Sequence, residues 1–130
     1  KLVEDAKEQT KTDVFAREQA VVMDRKEHPE EGSYTNYLFD KGEDKILKKV
    51  GEEAAEVVIA GKNRDKDEIS YETADLIYHL TVMLVDNGMT WEDIYKEMER
   101  RKSVAEILAA DFFVLRGATF WYCKMSVFVI

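Results

Sequence analysis

Ile46-Leu47-Lys48-Lys49-Val50-Gly51-Glu52-Glu53-Ala54-Ala55-Glu56-Val57-Val58 is the stretch that decides the fold. At 100° per residue, Ile46, Leu47, Val50, Ala54, Val57 and Val58 share a face about 120° wide, which predicts an amphipathic helix from about Asp44 to Ala60. Gly61-Lys62-Asn63 is its expected stop. Glu53 falls on the edge of the apolar face, with Lys49 and Glu56 just beyond it. A second helix is expected from Asp67 to Val85, with Ile69, Leu76, Leu80, Met83 and Leu84 inward; it carries Glu72 and Asp75. Glu53 and Glu56 stand three residues apart, as do Glu72 and Asp75, so each pair occupies one helical face within a turn. Two such faces turned toward each other make an oxygen-rich pocket suited to a hard divalent cation such as Mg2+.

Upstream, residues 1–13 are charged and weakly patterned, and read as an N-terminal linker or frayed helix. From Val14 the pattern sharpens: Phe15, Gln19, Val22 and Met23 form one stripe of a helix that must stop near His28, because Pro29 disfavours helix in the residue before it. Ser33 is placed to cap a short helix carrying Tyr34, Tyr37, Leu38 and Phe39, ended by Lys41-Gly42. Downstream, Asn87-Gly88 breaks the chain. Thr90 and Asp93 resemble a capping box opening a helix with Trp91, Ile94, Tyr95 and Met98, and Ser103 with Glu106 repeats that signal. No period-2 stretch occurs in residues 1–110, so the fold class is all-α. Residues 14–102 read as the domain, and 103–130 as a C-terminal helix and an atypical apolar tail. From Asp111 onward the tail is rich in aromatic and β-branched residues. It is expected to add a strand or helix to the bundle, with a tail that binds a partner or membrane surface, or a segment foreign to the domain or poorly ordered, as the other readings.

At 130 residues the chain has the size of one domain, with 45% apolar and 35% charged residues. A net charge of −8 argues against general nucleic-acid binding, though a bound cation can reverse the field locally for a nucleotide. The single cysteine, Cys123, permits no internal disulfide and makes a reducing cytoplasm the default. No signal pattern opens the chain, and no run reaches the roughly 18 apolar residues of a spanning helix, so no membrane role is expected. The chain begins at Lys1 rather than methionine, and is read as processed or as a piece of something longer.

An acidic pair at i, i+3 is common on any solvated helix. Two features raise these above that background. Both pairs lie on the margins of apolar stripes, where a carboxylate without a partner is costly. The segment before them is basic, with Lys41, Lys45, Lys48 and Lys49, and a lysine cluster near a carboxylate-held cation suits a polyphosphate. Ordinary i, i+4 pairing, such as Lys48 with Glu52, is the plain alternative. A di-iron site would need Glu-x-x-His pairs, but Arg25 precedes His28 and Leu76 precedes His79. His79 reads as a satisfied helix residue, and Cys123 as inert. The lack of a Gly-rich phosphate loop excludes a P-loop enzyme.

Glu52-Glu53-x-x-Glu56, followed after fifteen residues by Glu72-x-x-Asp75, resembles the signature of the all-α, MazG-like nucleoside-triphosphate pyrophosphatase superfamily. Within it, Pro29-Glu30-Glu31-Gly32-Ser33-Tyr34-Thr35 is similar to the phosphoribosyl-ATP pyrophosphatases of histidine biosynthesis. So are the stretch from Leu38 to Glu53 and Ala74-Asp75-Leu76-x-Tyr78-His79-Leu80. The resemblance covers roughly residues 15–101. It implies a MazG-like helical bundle completed by homodimerisation, and Mg2+-dependent hydrolysis of phosphoribosyl-ATP to phosphoribosyl-AMP and pyrophosphate. It further implies Glu53, Glu56, Glu72 and Asp75 as metal ligands. Glu52 matches the first motif glutamate, suited to orienting or activating water, so Glu52 and Glu53 are the catalytic candidates. On chemical grounds Lys45, Lys48 and Lys49 are candidates for the phosphates, and Ser33, Tyr34 and Thr35 for the rest of the substrate. Family members usually end soon after Glu97-Met98-Glu99-Arg100-Arg101, so residues 111–130 fall outside the resemblance. The family is often fused behind a zinc-dependent cyclohydrolase, of whose linker residues 1–13 would be a remnant. The competing readings are a house-cleaning pyrophosphatase for ordinary or damaged nucleoside triphosphates and a non-catalytic helical interaction module.

Overall fold

The computed structural model describes the backbone of residues 2–114 and the side chains of residues 14–105. Among the described residues there are five helices and no strand, as expected of an all-α chain: α1 (Leu2–Glu27), α2 (Tyr34–Lys41), α3 (Glu43–Asn63), α4 (Lys66–Asp86) and α5 (Trp91–Val114). The chain divides into two compact units, the break falling between Trp91 and Glu92. No helix among the described residues is long and apolar enough to cross a membrane.

In the first unit the helix ends follow local chemistry. The Ser33 hydroxyl caps α2 by accepting from the Asn36 N–H at 3.3 Å. Asp65 caps α4, one carboxylate oxygen accepting from the N–H groups of Asp67 and Glu68 at 3.0 and 3.1 Å. Gly42, at φ 81°, both ends α2 and begins α3, a backbone state that L side chains rarely adopt. The expected stop at Gly61-Lys62-Asn63 is real, but the left-handed cap is Arg64, at φ 57°. Only Arg64 and Asp65 separate α3 from α4, so the two helices form an antiparallel hairpin packed along its length. Helix α1 packs on α4 and α2, and α2 on α3. The segment expected as a linker or frayed helix forms the start of α1, which runs from Leu2.

The core joins all four helices: Val22 from α1, Leu38 from α2, Ile46 from α3, and Val82 and Val85 from α4, flanked by Phe39, Tyr78 and Met83. Each such aliphatic side chain contributes about 1.5–3 kcal/mol by leaving water. Polar ties reinforce this packing. The Trp91 indole N–H donates to the buried Thr81 hydroxyl at 2.9 Å, its backbone N–H donates to Gln19 at 2.7 Å, and its ring meets the Phe15 ring edge-on. Lys26 of α1 reaches the end of α4, donating to the Val85 carbonyl at 3.3 Å and pairing with Asp86 at 3.1 Å.

Three expectations are corrected here. Met23, Leu47 and Val58, assigned to apolar stripes, are 40%, 45% and 71% exposed. On α4 Leu84 is buried and Met83 packs against the core as expected, but Ile69, Leu76 and Leu80 are only half-buried, and His79, Thr81, Val82 and Val85 are buried beside Leu84. The capping signal at Ser103 opens no new helix, because α5 continues through it and the Ser103 hydroxyl donates to the Glu99 carbonyl. In the second unit, Glu97 accepts from both Arg100 and Arg101 along α5. The apolar tail beyond residue 114 lies outside the described residues.

Candidate active site

The antiparallel packing of α3 on α4 turns their acidic faces together. Glu53 and Glu56 from α3 and Glu72 from α4 place carboxylate oxygens within 4.8 Å of one another, an all-oxygen donor set of the kind that holds a divalent cation. Asp75, one turn beyond Glu72, is not among these three; its backbone carbonyl instead accepts from His79 Nδ1 at 2.8 Å. Glu53 was placed on the edge of the apolar stripe, but it is buried, with 3% exposure. The hairpin closes over it, and Lys49 holds it from one turn back at 2.6 Å.

The electrostatics follow from this geometry. Burial pushes the Glu53 carboxyl up, but hydrogen bonds with Lys49 and Glu56 outweigh it and leave the group below the usual carboxylate range. Glu56 is pushed up, because its hydrogen-bonding neighbours Glu53 and Glu72 are themselves carboxylates. Ionised together, the three acids repel one another across the hairpin. The hydrogen bond from Lys49 holds Glu52 down, and Glu52 remains open to solvent.

The other candidates have mixed fates. Of the three lysines, Lys49 is committed to Glu53 and Glu52, Lys48 lies 3.7 Å from Glu52 as the plain pairing alternative required, and Lys45 sits 5.9 Å from the centre of the Tyr37 ring. Ser33 is the α2 cap, and the Thr35 hydroxyl is hydrogen-bonded to the Tyr78 hydroxyl at 2.7 Å. Tyr34 is the one member of that trio whose side chain reaches toward the acids, through His79 Nε2 at 3.3 Å. Tyr34 and Tyr37 also line an open depression of about 580 Å³ formed by the turn from Pro29 to Ser33 and the exposed side of α2. Asn36 fixes that turn, accepting from the Glu30 N–H and donating to the Arg25 carbonyl.

The residue that sequence reasoning undervalued is His79. It is satisfied, as expected, but it is also buried and stands 3.8 Å from Glu53, joining the aromatic side of the site to the acidic side. Its position four residues after Asp75, on the same helical face, was the available signal.

A helical hairpin with carboxylates from both arms facing one another is the arrangement of the MazG-like all-α proteins, and that is the class to which fold and site point. Residues 15–102 match the family described as phosphoribosyl-ATP pyrophosphohydrolase, and the chain belongs to that family. It is 70% identical over 77 residues to the histidine biosynthesis bifunctional protein HisIE of Thermoanaerobacter pseudethanolicus, covering 59% of this chain and 36% of that protein. It is 65% identical over 80 residues to the phosphoribosyl-ATP pyrophosphatase of Streptococcus thermophilus, covering 62% of this chain and 77% of that one. The corresponding protein of Limosilactobacillus fermentum is 57% identical over 84 residues, covering 65% of this chain and 79% of its own length. The chain thus matches little more than a third of the bifunctional relative and about three quarters of the single-activity ones.

Proposed function

We propose that this chain is a hydrolase that converts phosphoribosyl-ATP to phosphoribosyl-AMP and pyrophosphate, the second step of histidine biosynthesis, in the cytoplasm with Mg2+ as cofactor. The observation that carries this reading is the meeting of Glu53, Glu56 and Glu72 from two helices inside the segment that matches the family. The donor set fits the metal: it is all carboxylate oxygen, which suits a hard cation, and the raised Glu56 carboxyl reflects negative charge that the one lysine at Glu53 leaves partly unbalanced. Bound there, Mg2+ supplies positive charge to the triphosphate and to the pyrophosphate that leaves.

The chain's own groups do the rest. Glu53, Glu56 and Glu72 hold the cation, with Asp75 one turn away as a further candidate ligand. Glu52, ionised and open to solvent, is placed to take the proton of a water that attacks the α-phosphorus. Lys45 and Lys48 offer exposed or half-exposed ammonium groups to the phosphates, and Lys49 can join them once a cation takes over its partner Glu53. Ser33 and Tyr34 border the part of the site left for the nucleoside, and the buried Thr35 supports them through its bond to Tyr78.

A homodimer completes the proposal. Val58, Ile59 and Leu47 on α3 and Tyr71 on α4 are 71%, 58%, 45% and 66% exposed in the single chain, apolar surface that a second copy would bury. The deciding experiment is release of pyrophosphate from phosphoribosyl-ATP with Mg2+ present and after chelation. Turnover that requires Mg2+ supports the proposal; faster turnover of ordinary nucleoside triphosphates, or turnover without the metal, overturns it. Light scattering should give twice the 15.1 kDa chain mass.

A further inference from the structure

Tyr34 is the first residue of α2, and it is 47% exposed yet held by three neighbouring rings. Its ring stacks on Tyr37 at 5.9 Å and on Tyr78 at 6.4 Å, and stands edge-on to His79 at 6.0 Å. It lines the depression beside the Pro29–Ser33 turn, and its hydroxyl reaches His79 Nε2 at 3.3 Å. The direction of that hydrogen bond follows from the other ring nitrogen. Nδ1 faces two acceptors, the Asp75 carbonyl at 2.8 Å and the Glu53 carboxylate at 3.8 Å. With its proton on Nδ1, held by the Asp75 carbonyl, the ring presents Nε2 as an acceptor, and the Tyr34 hydroxyl donates to it. A phenol has one proton. Once it is given to His79, the Tyr34 oxygen can offer a ligand only its lone pairs.

That acceptor stands between the aromatic depression and the carboxylate cluster. On the phosphoribosyl-ATP reading above, phosphates occupy the carboxylate end and the nucleoside extends from there toward the depression that Tyr34 lines. The group between them is the ribose of the ATP moiety, whose hydroxyls are donors, whereas phosphate oxygens are acceptors that this oxygen repels. We propose that Tyr34 is a sugar-reading residue that accepts a hydrogen bond from the 2′- or 3′-hydroxyl of the nucleotide's ribose, and that His79 is the positioning residue that fixes the direction of that bond. The proposal rests on the nucleotide reading of the site but adds a selectivity that the carboxylates alone do not supply: ribonucleotides are favoured over deoxyribonucleotides.

The test is a cycle of two proteins and three ligands. Wild type and Tyr34→Phe are compared on phosphoribosyl-ATP and on its analogues lacking the 2′- or the 3′-hydroxyl of the ATP ribose. In the wild type, kcat/KM should fall about 3- to 10-fold for one of the two analogues, the size of one partly exposed hydrogen bond. Tyr34→Phe should lose a similar factor on the full substrate, mainly through KM, and show no further loss on that analogue. Discrimination that persists unchanged in Tyr34→Phe overturns the proposal. Calorimetry with Mg2+ and ATP, 2′-deoxy-ATP or 3′-deoxy-ATP reads the same cycle without turnover, so it decides the sugar contact even if phosphoribosyl-ATP proves not to be the substrate. Nitrogen-15 NMR of the His79 imidazole supplies an independent readout, with the exposed His28 removed as His28→Gln. A proton on Nδ1 alone supports the proposal; a proton on Nε2 reverses the bond and overturns it.

Discussion

Glu97 on α5 stands three and four residues before Arg100 and Arg101, and both guanidiniums reach it, at 2.7 and 2.8 Å. Their hydrogen bonds hold its carboxyl well down, to about 2. Glu56 on α3 stands three residues after Glu53 and meets carboxylates instead, one from its own helix and one from α4, so its carboxyl is pushed up. The helical spacing is the same and the electrostatic outcome is opposite. Glu97 is balanced by residues within its own turn, and nothing further is required of its surroundings. The α3–α4 hairpin brings together like charges that local pairing leaves unbalanced, and that imbalance is what the proposed Mg2+ would relieve.

The largest expected effect comes from removing the buried member of the second group. Glu53→Gln should lower pyrophosphate release from phosphoribosyl-ATP by at least about 100-fold, since changes even to groups behind a metal ligand commonly cost 10- to 100-fold. Glu97→Gln, an equally small chemical change in a balanced cluster, should leave the rate unaltered. Parallel steady-state assays check both, and equal losses would erase the distinction between the clusters. Mg2+ should also stabilise the wild type, by about 2.7 kcal/mol at a hundred times its dissociation constant. Melting curves with Mg2+ and with chelator should show this shift in wild type and Glu97→Gln, and lose it in Glu53→Gln.

The two clusters also differ in how far a sequence discloses them. Every partner of Glu97 lies within four residues, so spacing alone reveals it. The acidic motifs and the approximate spans of α3 and α4 were legible for the same reason: helical period and turn residues are local. Leu47 and Val58 were misread because a periodic apolar face does not tell which of its positions the neighbouring helices of the chain reach; the proposed second copy would cover them. The burial of Glu53 depends on how two helices close, and the Tyr34–His79 bond joins residues 45 positions apart, a contact that no local pattern encodes. The division of labour among Ser33, Tyr34 and Thr35 follows from which hydroxyls the fold had already used for a cap and for Tyr78.

A subtler consequence concerns Glu56 without metal. Its neighbours disfavour the ionised form in the folded state, so Glu56→Gln should remove repulsion and raise the melting temperature of the Mg2+-free protein, while weakening Mg2+ binding. A variant more stable without metal but poorer at binding it would place the cost of the cluster at Glu56. A lower metal-free melting temperature would show that the carboxylates are already balanced.

The smallest effect is in the pH dependence of stability, where the two glutamates pull in opposite directions. Glu97 has a folded value of about 2, below the ordinary 4.5, so its contribution is fully present above 4.5 and is lost as pH falls from there toward 2. Glu56 is raised above 4.5, so the folded chain binds more protons there than the unfolded chain does. Stability of the Mg2+-free protein therefore falls as pH rises from 4.5 through the folded value of Glu56. Glu56 is exposed and Glu97 partly so, so water and salt screen the two effects, and difference melting curves are the suitable measurement. Glu97→Gln should flatten the acid limb below pH 4.5, and Glu56→Gln the limb above it. Saturating Mg2+ should reverse the slope on the Glu56 side, because the ion binds the ionised cluster and competes with the proton, and should leave the Glu97 side untouched.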